Sequence, residues 1–167
     1  IKGDKENIIA IIGDGSLSGG EALEGLNVAG SEINSNLIII VNDNEQSIAE
    51  VHGGMYKNLA ELRETGGTAS NNLFKAFGLD YIYEENGNDI ASLISLFRKV
   101  KDTDHPIVVH IHTQKGKGYE IAEKDKEGWH WCMPFDRETG KPTISFGDGE
   151  DYTSITAEYI MQKAKSD

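Results

Sequence analysis

Two short polar stretches carry the residue types from which a metal–phosphate site can be built: Gly13-Asp14-Gly15 and Asn42-Asp43-Asn44. Asp14 offers a carboxylate and Asn44 an amide oxygen, hard donors that suit Mg²⁺. Magnesium rarely receives an all-protein cage and completes its octahedron with phosphate oxygens and water. So small a protein donor set therefore predicts a diphosphate partner. A side chain at Gly15 would obstruct the approach of backbone N–H groups to a phosphate. The helix start expected just beyond, past Ser16, adds an electropositive end. Each tripeptide alone is an ordinary turn signal. Their weight comes from position, because each directly follows an apolar run and the two lie one crossover unit apart.

Those runs are residues 8–12 (IIAII) and 37–41 (LIIIV). Wholly apolar runs of this length suit strands buried on both faces of a parallel sheet. Between them, Ser18 and Glu21 have the spacing of a capping box. Ala22, Leu23, Leu26 and Ala29 recur with a helical period, and Gly30 follows as a C-terminal cap. Strand, helix and strand make a βαβ unit with a right-handed crossover. In such a sheet ligands sit outside the carboxyl ends of the strands, where Asp14 and Asn44 would meet.

Further along, residues 50–68 are Gly-rich and polar, with helical potential around Lys57 to Arg63. Residues 71–77 read as a short helix capped by Gly78, and 79–83 as a strand. Ile90, Leu93, Ile94, Phe97 and Val100 recur at helical spacing, Pro106 ends that region, and 107–112 (IVVHIH) is a clear strand. The alternation predicts an α/β fold, a parallel sheet flanked by helices. Residues 1–122 would form that domain. Residues 123–150 are charged and aperiodic, like an active-site loop and linker, and 151–167 open with the first helix of a following domain.

Composition narrows the function classes. The 167 residues carry a formal net charge of −12 with no basic stripe, which argues against nucleic acid and against an anionic membrane surface. Local lysines and backbone N–H groups still leave room for small anionic ligands. One cysteine, Cys132, allows no intrachain disulfide and fits a reducing compartment such as the cytoplasm. No apolar run reaches the ~18–20 residues that span a bilayer, and no signal peptide is visible. The chain starts at Ile1 and enters an apolar run almost at once, so a piece of a longer polypeptide is expected.

With these residues in place a family resemblance emerges. GDGSLSGGEALEGLNVAG followed by NLIIIVNDNEQSIAE resembles the thiamine-diphosphate motif of the transketolase superfamily. HIHTQKGKGYEIAEKD and WHWCMPFDRETGKP resemble the 1-deoxy-D-xylulose-5-phosphate synthase family rather than transketolase itself. The resemblance extends over roughly residues 8 to 160. It implies a thiamine-diphosphate-binding fold, with Asp14, Asn44 and the carbonyl of Gln46 as Mg²⁺ ligands. It implies that Gly15 and Ser16 contact the cofactor diphosphate beside Asn44, that Lys115 lies near the phosphates, and that Tyr119 lines the cofactor site. His130 matches the histidine placed beside the substrate, although Trp129, Trp131 and Cys132 around it depart from the common pattern.

The implied reaction condenses pyruvate with D-glyceraldehyde 3-phosphate, with loss of CO₂, in a homodimer serving isoprenoid-precursor and thiamine or pyridoxal biosynthesis. The family's histidines near the thiazolium ring would precede Ile1, and the glutamate that protonates the aminopyrimidine would follow Asp167. The 167 residues alone are therefore expected to be inactive. The segment between Glu50 and Asn71 is also compact where many members make a longer excursion. Three other readings compete: a transketolase using ketose-phosphate donors, another 2-oxo-acid decarboxylase or dehydrogenase component, or a non-catalytic Mg-diphosphate-binding module.

Other residues read more simply. His110 and His112 lie two apart on one strand face, where satisfied strand histidines are favoured over a metal pair that lacks a third ligand. His52 reads as a surface residue and His105 as a solvated turn residue. Cys132 reads as a plain thiol, and the acidic runs as solvated faces. Trp129, Trp131 and Phe135 suit a pocket wall or loop packing equally.

Overall fold

A computed structural model describes residues 6–144 and 151–166. The part of the expected linker at 145–150 lies outside these residues. The chain divides into two compact units, Ile1–His130 and Trp131–Asp167.

The first unit is an α/β layer structure. Its strands are β1 (Ile8–Gly13), β2 (Leu37–Asp43), β3 (Asp80–Glu84) and β4 (Ile107–His112). They form one all-parallel sheet in the order β1-β2-β4-β3. Its helices are α1 (Asp14–Leu17), α2 (Gly20–Ser31), α3 (Gly54–Glu64), α4 (Leu73–Ala76), α5 (Ile90–Val100) and α6 (Glu120–Lys124). Side chains alternate across a strand, so each strand feeds two cores. Ile39, Val41 and Val108 pack with Leu17, Leu26, Leu59, Leu62 and Phe74, beneath α1 to α4. Ile38, Ile40, Val109 and Ile111 pack with Leu96 and Val100 of α5 on the other face. The expected parallel sheet flanked by helices is the fold observed.

Three local expectations need correction. The 8–12 run forms a strand, but it is not buried on both faces. Ile8, Ile9 and Ile11 are 57%, 56% and 73% exposed. Among the described residues β1 is an edge strand that pairs only with β2, and no helix covers its outer half. The Ser18–Glu21 capping box does not form. A single turn, α1, intervenes between β1 and α2, Gly19 becomes the N-cap, and Ser18 Oγ donates back to the Gly15 carbonyl at 3.1 Å. Gly30 does not cap α2, which runs on through Ser31.

Gly30 answers a packing demand instead. A Cβ at that position would lie 1.8 Å from the Phe77 carbonyl oxygen, and Gly78, at φ +88°, abuts the Gly30 carbonyl from the other side. The two glycines let α2 touch the turn that follows α4. The start of α4 is built locally, since Asn72 Oδ1 accepts from Phe74 N at 3.0 Å and from Lys75 N at 3.2 Å.

The second unit holds a turn closed by the Phe135–Pro142 bridge and the helix α7 (Tyr152–Ser166). Asp151 Oδ1 accepts from Ser154 N at 2.8 Å at the start of that helix. No residue of α7 is buried.

Gly30→Ala should destabilise the first unit by several kcal/mol, because the clash is with backbone that cannot rotate away. Gly25→Ala, on the exposed face of the same helix with nothing within 4 Å of its Cβ position, should instead stabilise it by about 0.5–1 kcal/mol. Urea unfolding of both variants separates packing from helix propensity.

Candidate functional site

The carboxyl ends of β1, β2 and β4 converge on one polar region. Gly13 stands opposite Asn42 in register, and Asp43 opposite His112. Asp14, the first residue of α1, is 2% exposed, and its Oδ2 is buried without a hydrogen-bond partner. Burial first, and then the neighbouring Asp43 charge, push its carboxyl up to about 6. The side-chain oxygen of Gln46 is likewise buried and unpartnered. Unsatisfied buried oxygens of this kind are costly unless a cation or donor meets them.

Asp43 is fully buried, on the same face as Ile39 and Val41. Burial alone would raise its carboxyl, but the hydrogen bond from His110 and the charge of Arg63 hold it down to about 2. The Arg63 guanidinium, from α3, donates to Asp43 Oδ2. His110 Nε2 lies 2.9 Å from the same oxygen, and Tyr81 Oη is 2.8 Å from His110 Nδ1. A carboxylate only accepts, so Nε2 of His110 carries a proton. Burial raises the Tyr81 hydroxyl well above its ordinary range, so it stays a neutral donor or acceptor. The His110 ring is framed by Tyr83 edge-on at 5.1 Å and by Phe74 at 6.3 Å. His110 is thus a satisfied strand histidine, as expected.

His112 is satisfied in another way. Its Nε2 lies 2.9 Å from Glu45 and its Nδ1 3.1 Å from Glu85. Both carboxylates receive hydrogen bonds only when both ring nitrogens carry protons. Among the described residues no group of three His, Cys, Asp or Glu side chains is arranged to hold a metal ion.

The loop after β2 carries the remaining predicted residues. Asn44 Oδ1 accepts from Gln46 N at 3.1 Å, an Asx turn that shapes the loop. Glu45 within it takes φ +67°. Gly15 meets this loop closely, since a Cβ there would come 2.9 Å from Ser47 Cβ. Tyr56 Oη donates to the Gly15 carbonyl at 3.4 Å, while Ser16 is exposed. Lys115 Nζ donates to the Ser47 carbonyl at 2.7 Å and lies 2.9 Å from His130 Nδ1. Tyr119 packs edge-on against Trp129 at 5.1 Å. A cavity of about 450 Å³ opens here, lined by Asp43, Gln46, His52, Tyr56 and Arg63 among others.

The structure therefore draws Gly15, Lys115 and His130 together around Ser47, and sets Asp14 against Asp43. Tyr119 packs on Trp129, the residue before His130. Sequence reasoning passed over Asp43, Arg63, His110, Tyr81 and Ser47 as parts of the site. The one sequence signal for Asp43 was its place inside Asn42-Asp43-Asn44, where it follows Val41 at core-facing phase. His52 is exposed, and His105 pairs with Asp104 at 2.7 Å in its exposed turn. Cys132 is exposed and free.

A parallel α/β sheet with unsatisfied buried oxygens beyond its strand ends defines a domain of the class that binds small ligands at that edge. The particular family follows from comparison. The family model described as 1-deoxy-D-xylulose-5-phosphate synthase matches residues 1–71 and 63–113, and the chain belongs to that family.

Among curated proteins the chain is 35% identical to 1-deoxy-D-xylulose-5-phosphate synthase 1 of Geobacter metallireducens, covering 100% of this chain and 32% of the relative. It is 35% identical to 1-deoxy-D-xylulose-5-phosphate synthase of Syntrophotalea carbinolica, covering 99% of this chain and 32% of the relative. For the synthase of Listeria monocytogenes the identity is 36%, covering 100% of this chain and 28% of the relative. The chain spans about a third of the length of these relatives. The Geobacter alignment runs over 203 positions against 167 residues here, and the Listeria alignment over 174. The Geobacter relative thus carries residues that this compact chain lacks. The two matched segments overlap at 63–71, near the end of α3.

Two experiments probe the site. A carboxyl raised from 3.8 to about 6 on folding binds its proton more tightly in the native state. Stability gained from protonating Asp14 is therefore fully present below the unfolded value and lost as pH rises through about 6. In metal-free protein, the unfolding free energy of the wild type relative to Asp14→Asn should rise by about 1–2 kcal/mol between pH 7 and 5. Urea titrations at both pH values measure that difference. His110→Phe keeps the ring volume but removes both hydrogen bonds, leaving Asp43 buried with Arg63 and the Glu45 backbone N–H. It should cost ~2–4 kcal/mol at neutral pH by the same measurement.

Proposed function

We propose that this chain forms the diphosphate-binding part of a 1-deoxy-D-xylulose-5-phosphate synthase. The observation that carries the reading is the buried, unpartnered Asp14 Oδ2 at the end of β1, within a segment that the family model matches. A hard divalent cation suits that oxygen, and Mg²⁺ would be held by Asp14, Asn44 and the carbonyl of Gln46. Gly15 and Ser16 would contact the cofactor diphosphate, next to Asn44. Tyr119 would line the cofactor site. Lys115 commits two of its three N–H donors to Ser47 and His130 and would keep one to turn toward the phosphates.

Thiamine diphosphate bound there supplies a carbanion and an electron sink for decarboxylating pyruvate. Pyruvate and D-glyceraldehyde 3-phosphate would give 1-deoxy-D-xylulose 5-phosphate and CO₂. The work of this chain in that reaction is anchoring and proton placement. A cation held there would offset the burial that raises the Asp14 carboxyl. Arg63 and His110 keep Asp43 ionised and fixed behind it. His130 would present a ring N–H to the acceptor aldehyde or to the alkoxide that forms from it. We place the protein in the cytoplasm as a homodimer. Among the described residues no helix is long and apolar enough to cross a membrane.

The binding test compares thiamine diphosphate with ADP on the 167-residue chain by calorimetry, with and without Mg²⁺. Preference for thiamine diphosphate that depends on Mg²⁺ and disappears in Asp14→Asn supports the reading. Equal binding of both would leave a general diphosphate module. CO₂ release from pyruvate, stimulated by D-glyceraldehyde 3-phosphate, should require the full-length polypeptide carrying this segment and be absent from the segment alone. Transfer from a ketose phosphate without pyruvate decarboxylation would make the protein a transketolase.

A further inference from the structure

Lys115 leaves β4 on a turn whose shape is fixed by two glycines, Gly116 at φ +78° and Gly118 at φ +94°. The turn is seated tightly, since a Cβ on Gly116 would come 2.8 Å from the Ala122 backbone of α6. From this position the Lys115 ammonium reaches the Ser47 carbonyl at 2.7 Å and His130 Nδ1 at 2.9 Å. His130 follows α6, with its own backbone N–H bonded to the Glu127 carbonyl at 3.1 Å. The lysine therefore ties three segments together: the loop after β2, the turn after β4, and the residues after α6.

The chemistry of the two partners is decisive. An ammonium has only donors, so Nδ1 of His130 must be the acceptor. The ring then carries its single proton on Nε2, the nitrogen turned away from Lys115. The tautomer of a histidine is set by what the other nitrogen meets. We infer that Lys115 is a positioning residue that holds His130 as the neutral Nε2–H tautomer, so that His130 acts as a hydrogen-bond donor rather than as a base through Nε2. This rests on the reading that His130 faces substrate. The contrast inside the same unit is instructive: His112, set between two carboxylates, needs both ring protons to satisfy them.

The test reads the ring directly. In the ¹⁵N-histidine-labelled 167-residue chain above neutral pH, long-range ¹H–¹⁵N spectra should give His130 a protonated Nε2 and a hydrogen-bonded, unprotonated Nδ1. Lys115→Met should shift the Nδ1 resonance to that of an unbonded imine nitrogen and admit the second tautomer. Lys115→Arg should retain the bonded position. A protonated Nδ1 in the wild type, or ring signals unmoved by Lys115→Met, overturns the inference.

In the full-length polypeptide, Lys115→Met should lower kcat about tenfold, the scale of one misplaced hydrogen bond. At saturating Mg²⁺-thiamine diphosphate, Lys115→Arg should recover most of the rate. Undiminished kcat of Lys115→Met at saturating Mg²⁺-thiamine diphosphate would overturn the positioning role. Undiminished turnover in His130→Ala would overturn the assignment of His130 to substrate, and would do so independently of the ring state seen in the spectra.

Discussion

The site depends on one carboxylate buried in the sheet. Asp43 sits at the end of β2 with no solvent contact, and a bare charge there would be prohibitively costly. Arg63 from α3 and His110 from β4 meet it from two sides, and Tyr81 from β3 meets the far nitrogen of His110. A helix and three of the four strands are thereby fixed around a single oxygen pair. Asp14 is placed against this assembly with its Oδ2 buried and unpartnered. The result is asymmetric, with one acid compensated and held ionised and its neighbour left with one unmet oxygen. Two adjacent carboxylates in different environments, and hence with divergent proton affinities, are a recurrent way to assign different tasks to similar groups.

A second arrangement lies above the first, built from loops. The Asx turn at Asn44, the close approach of Gly15 to Ser47, and the reach of Lys115 to the Ser47 carbonyl bring the β1, β2 and β4 ends into one surface. Strand order accounts for this. β4 lies directly beside β2, so residues far apart in sequence emerge next to each other. Placing functional groups on loops that rigid strands support gives precision without requiring the loops themselves to be buried.

Much of this was readable in the sequence, for identifiable reasons. Runs such as LIIIV and IVVHIH and the periodic Ile90 to Val100 segment carry their structure locally, so the elements and the α/β class follow from patterning. What failed was decided by distant partners. The IIAII run has the composition of a central strand, yet exposure of Ile9 and Ile11 depends on whether a helix covers that half of the sheet. Gly30 looks like a helix stop until the turn at Phe77 is placed against it. Asp43 and His110 are 67 positions apart, and Arg63 reaches Asp43 across 20, so no local motif could announce the trio. Ser18 falls one residue short of the cap position because α1 occupies Asp14–Leu17 and α2 starts only after Gly19.

The bare edge of β1 bears on how the segment behaves in a tube. Its outer N–H and C=O groups lack a described strand beside them, and its side chains are Ile8, Ile9 and Ile11, with neither charge nor proline to discourage a neighbour. Short β-branched stretches of this kind stick to one another when their backbone is available. The net charge of −12 provides long-range repulsion, which salt screens. Colloidal behaviour is thus set by a contest between a sticky margin and a repelling surface. Raising ionic strength weakens the repulsion and leaves the apolar margin unchanged.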